Sequence, residues 1–272
     1  MKRRAPFPDR YGPWAVVLGA SEGLGAAFAQ ALAGRGMNLL LVARRAELLE
    51  KLADSLRRLF GVEARCLAAD LSSADFPGRL GAAVSGLELG LVVYNAAFAP
   101  VGDFLGLEPE DLSRVIEVNV RAPLLLLRSL LPAMAARRRG AVVLMSSLAG
   151  YQGTPRIATY AASKAFSRIL AEGLWFELKD SGIDAIACCA GAIRTPGYAS
   201  AGGRGAPGAR DPAFVAERAI QGLGRGPVAI PGFVNAVAAW AMGRALTRRA
   251  AIGLMALSTA GLRPSAAPGK RA

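Results

Sequence analysis

The chain has 272 residues, 53% of them hydrophobic, enough to bury one large core and better suited to one sizeable domain than to two small ones. Its net charge of +13 is scattered apart from short runs such as RRR at 137–139, so the clustered basic patch of a nucleic-acid binder is missing and no nucleic-acid partner is expected. It has no His and three Cys (Cys66, Cys188 and Cys189), which removes the commonest zinc ligand and general base and leaves no disulfide framework; no metal site is expected, and a reducing, cytoplasmic setting is.

The N-terminal segment MKRRAPFPDRYG carries positive charge with no apolar run behind it, so it reads as neither a secretory signal nor a membrane span. WAVVLGA (14–20) then reads as a buried strand that passes through a glycine turn into the helix GLGAAFAQALAGRG. With Gly19, Gly23 and Gly25 at the turn, the backbone can approach a pyrophosphate, whose charge would rest on free N–H groups at the helix start. Gly19, Ser21, Gly23, Leu24 and Gly25 are therefore candidate cofactor residues. The spacing G-x-x-x-G-x-G departs from the commoner G-x-G-x-x-G, and Glu22 adds negative charge beside the turn.

The second strand, NLLLVAR (38–44), ends where dinucleotide folds often place an acid for the ribose 2′-hydroxyl; here Ala43 is followed by Arg44 and Arg45. A carboxylate would repel a 2′-phosphate, whereas a guanidinium grips it with paired charge-assisted bonds, so NADP(H) is expected over NAD(H). A helix, RAELLEKLADSLRRLFG, should end at Gly61, and ARCLAAD (64–70) should form the third strand. Asp70, with Leu71 after it, closes that strand and could hold an adenine amino group or cap the next turn. LGLVVYNAA (89–97) reads as the fourth strand, ending in Asn95 and Ala96, which can line the adenosine side.

RVIEVNVRAPLLLLRSLLPAMAARRRG reads as a long helix, GAVVLMSS (140–147) as the fifth strand and ATYAASKAFSRILAEGLWFELKDSG as a helix ending at Gly182. GIDAIACCAG (182–191) and PVAIP (227–231) complete a seven-stranded reading. Such alternation implies crossover units and a doubly wound α/β parallel sheet with helices on both faces. Between the last two strands, GYASAGGRGAPGARDP (197–212) is too rich in Gly and Pro to pack by itself; it is a mobile loop at a pocket or a plain connection.

Within YAASK, Tyr160 and Lys164 leave one helical face a turn apart. A free phenol is a poor proton exchanger at neutrality, and a neighbouring ammonium would favour the phenolate and lower its pKa. Ser147 at the end of the fifth strand is placed to hydrogen-bond the same substrate oxygen, with Ser146 as its rival.

GASEGLG, AADLS, YNAA, VNVRAP, SSLAG, YAASK and GAIRT, in this order, make residues 14–231 resemble a single-domain short-chain dehydrogenase/reductase. The resemblance implies a seven-stranded Rossmann sheet and catalysis by Asn119, Ser147, Tyr160 and Lys164, favouring Ser147 over Ser146. It further implies that Lys164 holds the nicotinamide ribose with Tyr160 beside it, that Asn119 anchors a relay water, and that Ile193 and Thr195 contact the carboxamide. Two positions depart from the family pattern: YNAA stands for NNAG, and AG at Ala190 and Gly191 for PG. The resemblance also implies a homodimer or homotetramer joined through the helices carrying Asn119 and Tyr160.

Leu148 to Arg156, Ala192 and the loop from Gly197, with Tyr151 and Tyr198, are expected to contact substrate; their small, apolar or aromatic character favours an apolar ketone or 3-oxoacyl chain over a charged metabolite, a sugar or a polyol. Residues 1–231 form the expected catalytic domain and 232–272 a helical extension. That extension is apolar but cut by Asn235, Arg244, Arg248 and Arg249, so it is no membrane span. It can lie on a membrane surface, cover the pocket or form an oligomer contact. The expected activity is NADPH-dependent reduction of a carbonyl to an alcohol; a non-catalytic NADP(H)-binding sensor or scaffold is the alternative, and a surface-bound accessory protein a third.

Overall fold

The computed structural model describes residues 6–203 and 208–265, so the parts of the N-terminal segment, the 197–212 loop and the C-terminal extension at 1–5, 204–207 and 266–272 lie outside the described residues. The strands are β1 (Trp14–Leu18), β2 (Asn38–Ala43), β3 (Ala64–Ala68), β4 (Leu89–Tyr94), β5 (Gly140–Ser147), β6 (Ile183–Ala190) and β7 (Val228–Ala229). They form one parallel sheet in the order β3-β2-β1-β4-β5-β6-β7. β1 and β4 are buried along their whole length, which is why they read as unbroken apolar runs. Alternate residues feed opposite cores: Ala15 and Val17 face one layer, Val16 and Leu18 the other.

The helices are α1 (Phe7–Tyr11), α2 (Gly23–Ala33), α3 (Ala46–Phe60), α4 (Phe76–Val84), α5 (Pro109–Ile116), α6 (Ala122–Ala136), α7 (Ala158–Glu177), α8 (Pro196–Ser200), α9 (Pro212–Gly222), α10 (Phe233–Trp240) and α11 (Arg248–Thr259). Leu24, Phe28 and Leu32 of α2, Leu49 and Leu56 of α3, and Val215 and Ile220 of α9 cover one face of the sheet. Phe76 and Leu80 of α4, Leu126 and Leu130 of α6, and Ala171 of α7 cover the other. This is the Rossmann arrangement expected from the strand pattern, with β1 and β4 side by side at the point where strand order reverses.

Several boundaries differ from the sequence reading. The expected strands overshoot by one to three residues at ends such as 95–97, because small residues beyond β4 share the strand's composition without its ladder. The long helix expected from Arg114 is interrupted by a π-helical turn, Glu117–Arg121, in which the Ala122 N–H bonds to the Glu117 carbonyl instead of that of Val118. The Tyr94 phenol donates to the freed Val118 oxygen. The YNAA departure thus places a buried phenol as a strut between β4 and this turn. Helix α3 ends as expected at Gly61, in the left-handed conformation at φ 67°.

Candidate active site

The C-terminal ends of β1, β4, β5 and β6 open into one cavity of about 850 Å³. Gly19, at φ 79°, begins its floor; a Cβ there would lie 2.8 Å from the Ala96 backbone. A Cβ on Gly25 would meet the Gly19 carbonyl oxygen at 1.9 Å. Gly25 therefore lets α2 seat against the turn and stands behind the cavity wall, while Gly19, Ser21, Gly23 and Leu24 line it. The Asn95 side chain donates to the Gly19 carbonyl at 3.0 Å and ties β4 to the turn. A turn this bare, at a helix N-terminus and with arginines at its rim, fits a dinucleotide diphosphate.

Arg44 and Arg45 both line that rim, in different states. Arg45 pairs with Glu22 at 2.7 Å and donates to the Ser21 hydroxyl at 3.0 Å, which neutralises the negative charge in the turn. Among the described residues Arg44 forms no salt bridge within 4 Å. Asp70 accepts from the Ser72 N–H and hydroxyl and pairs with Arg114 at 2.8 Å. Burial alone would raise its carboxyl, but the Ser72 hydrogen bonds and the charges of Arg114 and Arg44 outweigh it and hold the group below the usual carboxylate range. Arg114, whose guanidinium also lies over the Phe98 ring, lines the cavity; nothing in its helical context marked it in the sequence. Leu71, Asn95 and Ala96 complete this side, and Ile193 and Thr195 line the facing wall.

At the other end Ser147, Tyr160 and Lys164 share the wall. The phenol of Tyr160 is hydrogen-bonded to Ser147. Ser146, one residue earlier, donates its hydroxyl to the Lys164 carbonyl at 2.7 Å, so strand alternation leaves Ser147 as the hydroxyl beside the phenol. The Lys164 ammonium donates to the Met145 carbonyl at 2.9 Å and lies 5.5 Å from the Tyr160 ring centre.

The electrostatics differ from the sequence expectation. Burial is the largest influence on the Tyr160 phenol and pushes its pKa above the ordinary value, with the Ser147 hydrogen bond pulling it partly back. Burial likewise lowers Lys164 to about 8. The expected depression of the phenol by the ammonium does not enter this balance, in which Lys164 is directed at the Met145 carbonyl.

Asn119 is buried in the π-helical turn and does not line the cavity. Its amide donates to the Phe98 carbonyl and the Ser163 hydroxyl, each at 2.9 Å, and its oxygen accepts from the Phe98 N–H at 2.8 Å. The side chain thus bolts the loop after β4 to α7, the helix that carries Tyr160 and Lys164.

Beyond the Ser-Tyr-Lys group the cavity wall is mainly apolar, built by Leu148, Ile157, Tyr198, Ala238 of α10, Met242 of the turn that follows it and Met255 of α11, and interrupted by Asn235, Ser258 and Thr259. Tyr151, expected among the substrate contacts, is directed elsewhere: its ring lies under Arg168 and its hydroxyl meets Cys189. The described part of the C-terminal extension lies over the pocket, which is one of the three uses open to it. Arg156 donates to the Thr259 and Ala260 carbonyls at the end of α11, Arg248 to the Tyr151 carbonyl, and Ser265 pairs with Val101. Asn235 on α10 is buried and donates to the Pro231 carbonyl at 2.8 Å. A Cβ at Gly191 would lie 2.6 Å from the Asn235 oxygen, so this glycine, which AG shares with PG, admits the side chain against the strand end. In the sequence Asn235 signalled only a break in an apolar helix.

Residues 13–202 match the family model described as short chain dehydrogenase. The chain belongs to the short-chain dehydrogenase family. As a short-chain dehydrogenase it is an oxidoreductase, of a family that uses NAD(P)(H). It is 37% identical over 190 residues to a 7beta-hydroxysteroid dehydrogenase of Clostridium sardiniense, covering 70% of this chain and 73% of that one. It is 38% identical to a very-long-chain 3-oxoacyl-CoA reductase of Neurospora crassa, covering 64% of this chain and only 54% of that protein. A solved structure of a 7beta-hydroxysteroid dehydrogenase superposes with a TM-score of 0.87 at 31% identity, over 92% of this short-chain dehydrogenase and 99% of the other chain. A short-chain dehydrogenase of Sphingobium yanoikuyae in complex with NADPH gives 0.78 at 32% identity, over 89% of this chain and 95% of that one.

Proposed function

We propose that the protein is an NADPH-dependent reductase of a bulky, apolar ketone, of steroid or 3-oxoacyl type, with Ser147, Tyr160 and Lys164 as its reacting group. The observation that carries this reading is that the three side chains and the glycine turn line a single cavity whose wall beside the Ser-Tyr-Lys group is mainly apolar. The similarity to dehydrogenases and reductases of steroids and long acyl chains supports the substrate class.

The bound cofactor would lie across Gly19, Ser21, Gly23 and Leu24, with Arg44 toward its 2′-phosphate, Arg45 held back by Glu22, Asp70, Leu71, Asn95 and Ala96 toward its adenosine, and Ile193 and Thr195 toward its nicotinamide. It supplies the hydride in this reduction. The Ser147 hydroxyl orients the substrate carbonyl oxygen, and Tyr160, kept protonated by burial, gives that oxygen its proton. The Lys164 ammonium offsets the negative charge left on the phenolate. Asn119 enters as a positioning residue, since its three hydrogen bonds hold α7 in register with the loop after β4.

Residues 233–265 serve as a cap on the catalytic domain, and the exposed side chains of Ile116, Leu124, Ile169 and Phe176 on α5, α6 and α7 supply the face for a homo-oligomer. With no disulfide pairing the three thiols suit a reducing, cytoplasmic setting.

The test follows NADPH absorbance with steroid ketones and CoA-linked 3-oxoacyl compounds, using Tyr160→Phe as control. The variant should lose on the order of 10²–10⁴ in rate while still binding NADPH. Undiminished turnover in the variant would overturn the mechanism, and NADPH binding without turnover on the whole panel would point to a nucleotide sensor.

A further inference from the structure

The cap has two faces, and only the inner one is used by the cavity. On α10, Phe233, Val237 and Trp240 recur at helical spacing on the outer side, with Phe233 80% and Trp240 57% exposed. On α11, Leu254 and Leu257 do the same, Leu257 at 77%, and Leu246 bridges the two helices. This is a contiguous outer crest of large apolar side chains on elements whose inner sides are already packed.

Charge distinguishes the surroundings of this crest from the rest of the molecule. The sequence contains no Asp or Glu after Glu217, while Arg244, Arg248, Arg249 and Arg263 all lie exposed on or beside the cap. Arg248 is occupied by the Tyr151 carbonyl. No salt bridge within 4 Å is formed by Arg244 or Arg249 among the described residues, so both charges are open to an anionic surface. A protein partner facing only cations would need a matching acidic surface; a sheet of anionic headgroups over hydrocarbon matches both the arginines and the crest at once. A second copy of the chain would bring like charge against like charge.

The position of the crest supplies a second, independent observation. Val234 and Leu254 are about half exposed and also line the cavity, so apolar side chains of the cap link the outer crest to the substrate chamber. We infer that the outer face of α10 and α11 docks on an anionic lipid bilayer, with Phe233, Trp240 and Leu257 entering the interface, Arg244 and Arg249 on the headgroups, and the cavity mouth turned toward the lipid. An apolar ketone dissolved in that bilayer then reaches Ser147 and Tyr160 without crossing water. This last consequence rests on the proposed reductase function; the docking itself does not.

The test uses the full chain with vesicles of phosphatidylcholine alone and of phosphatidylcholine mixed with phosphatidylglycerol, read by co-sedimentation and by Trp emission. Binding should be at least about tenfold greater on the anionic vesicles, should fall as salt screens the headgroups, and should carry a blue shift that Trp240→Phe removes. Phe233→Ser with Leu257→Ser should abolish sedimentation while turnover of a water-soluble ketone stays unchanged, because neither side chain lines the cavity. Should that pair fail to fold, Arg244→Gln with Arg249→Gln provides the second arm, and should lower anionic binding by about tenfold. Equal binding to both vesicle types, no binding to either, or a dimer in which Trp240 is shielded without lipid would overturn the inference. Turnover is measured separately, so a failure of docking is distinguishable from a failure of the reductase reading.

Discussion

Arg44 and Arg45 are adjacent in the chain yet bound to different tasks. The second is held by Glu22 and Ser21, whereas the first keeps its guanidinium free of ion pairs among the described residues. Arg44→Asp should therefore shift the ratio of NADPH to NADH efficiency by roughly ten- to hundredfold, the worth of a charge-assisted hydrogen bond, as read by kcat/KM with each cofactor. Arg45→Ala should move it less; a larger effect there would reverse the assignment.

Lys164 gives a prediction in the opposite currency, stability. Its folded pKa of about 8 lies below the ordinary 10.5, so the folded chain binds this proton more weakly than the unfolded chain. The cost is complete below about pH 8 and disappears as pH rises toward 10.5, amounting to roughly 3 kcal/mol from the size of the shift. Relative to Lys164→Met, the parent should gain in Tm between pH 8 and 10. Parallel curves for the two proteins would contradict the burial argument. For Tyr160 the upward direction keeps the phenol protonated through neutrality, which favours reduction; alcohol oxidation, which needs the phenolate, should accelerate with alkaline pH.

At the scale of elements, the π-helical turn decides how α5 and α6 meet the sheet. The Tyr94 phenol satisfies the Val118 carbonyl that the turn releases from the helical ladder. Tyr94→Phe leaves that buried oxygen unpaired and should cost about 1–3 kcal/mol in denaturant unfolding, with a smaller fall in kcat transmitted through Asn119. No change in stability would mean the turn re-forms as α-helix.

The elements also show which signals were legible. β1, β4, β5 and β6 were readable because a strand buried on both faces reads as a near-continuous apolar run. Helices α4 and α9 were not: each is short and has within its first two residues a Pro that reads equally well as a turn. The spacing of Tyr160 and Lys164 was legible because one helix carries both. The choice of Ser147 needed the strand's two faces to be told apart, and Tyr151 was misjudged because its loop turns it toward Arg168.

At the scale of the whole molecule, exposed large apolar side chains among the described residues include those on the cap and those on α5, α6 and α7. The face on α5, α6 and α7 contains Phe176, Ile169 and Leu124, and the stretch Pro109–Ala136, long and apolar enough to cross a membrane, has 44% of its most apolar window buried against the protein. If that face joins subunits, Phe176→Glu should drop the assembly to monomers in light scattering while leaving the cavity intact. An unchanged mass would remove this face as the oligomer contact.

The sequence by itself determined the parallel sheet, the glycine turn and the Tyr-Lys pair, because each is set by local periodicity or by residues within a few positions of one another. Only the tertiary structure decided that Gly25 serves packing, that Asn119 and Asn235 act as buried bolts, that Arg114 borders the nucleotide side and that α10 and α11 close the chamber. Those features arise where segments far apart in the chain meet, and burial there sets which hydrogen bonds and charges each residue keeps.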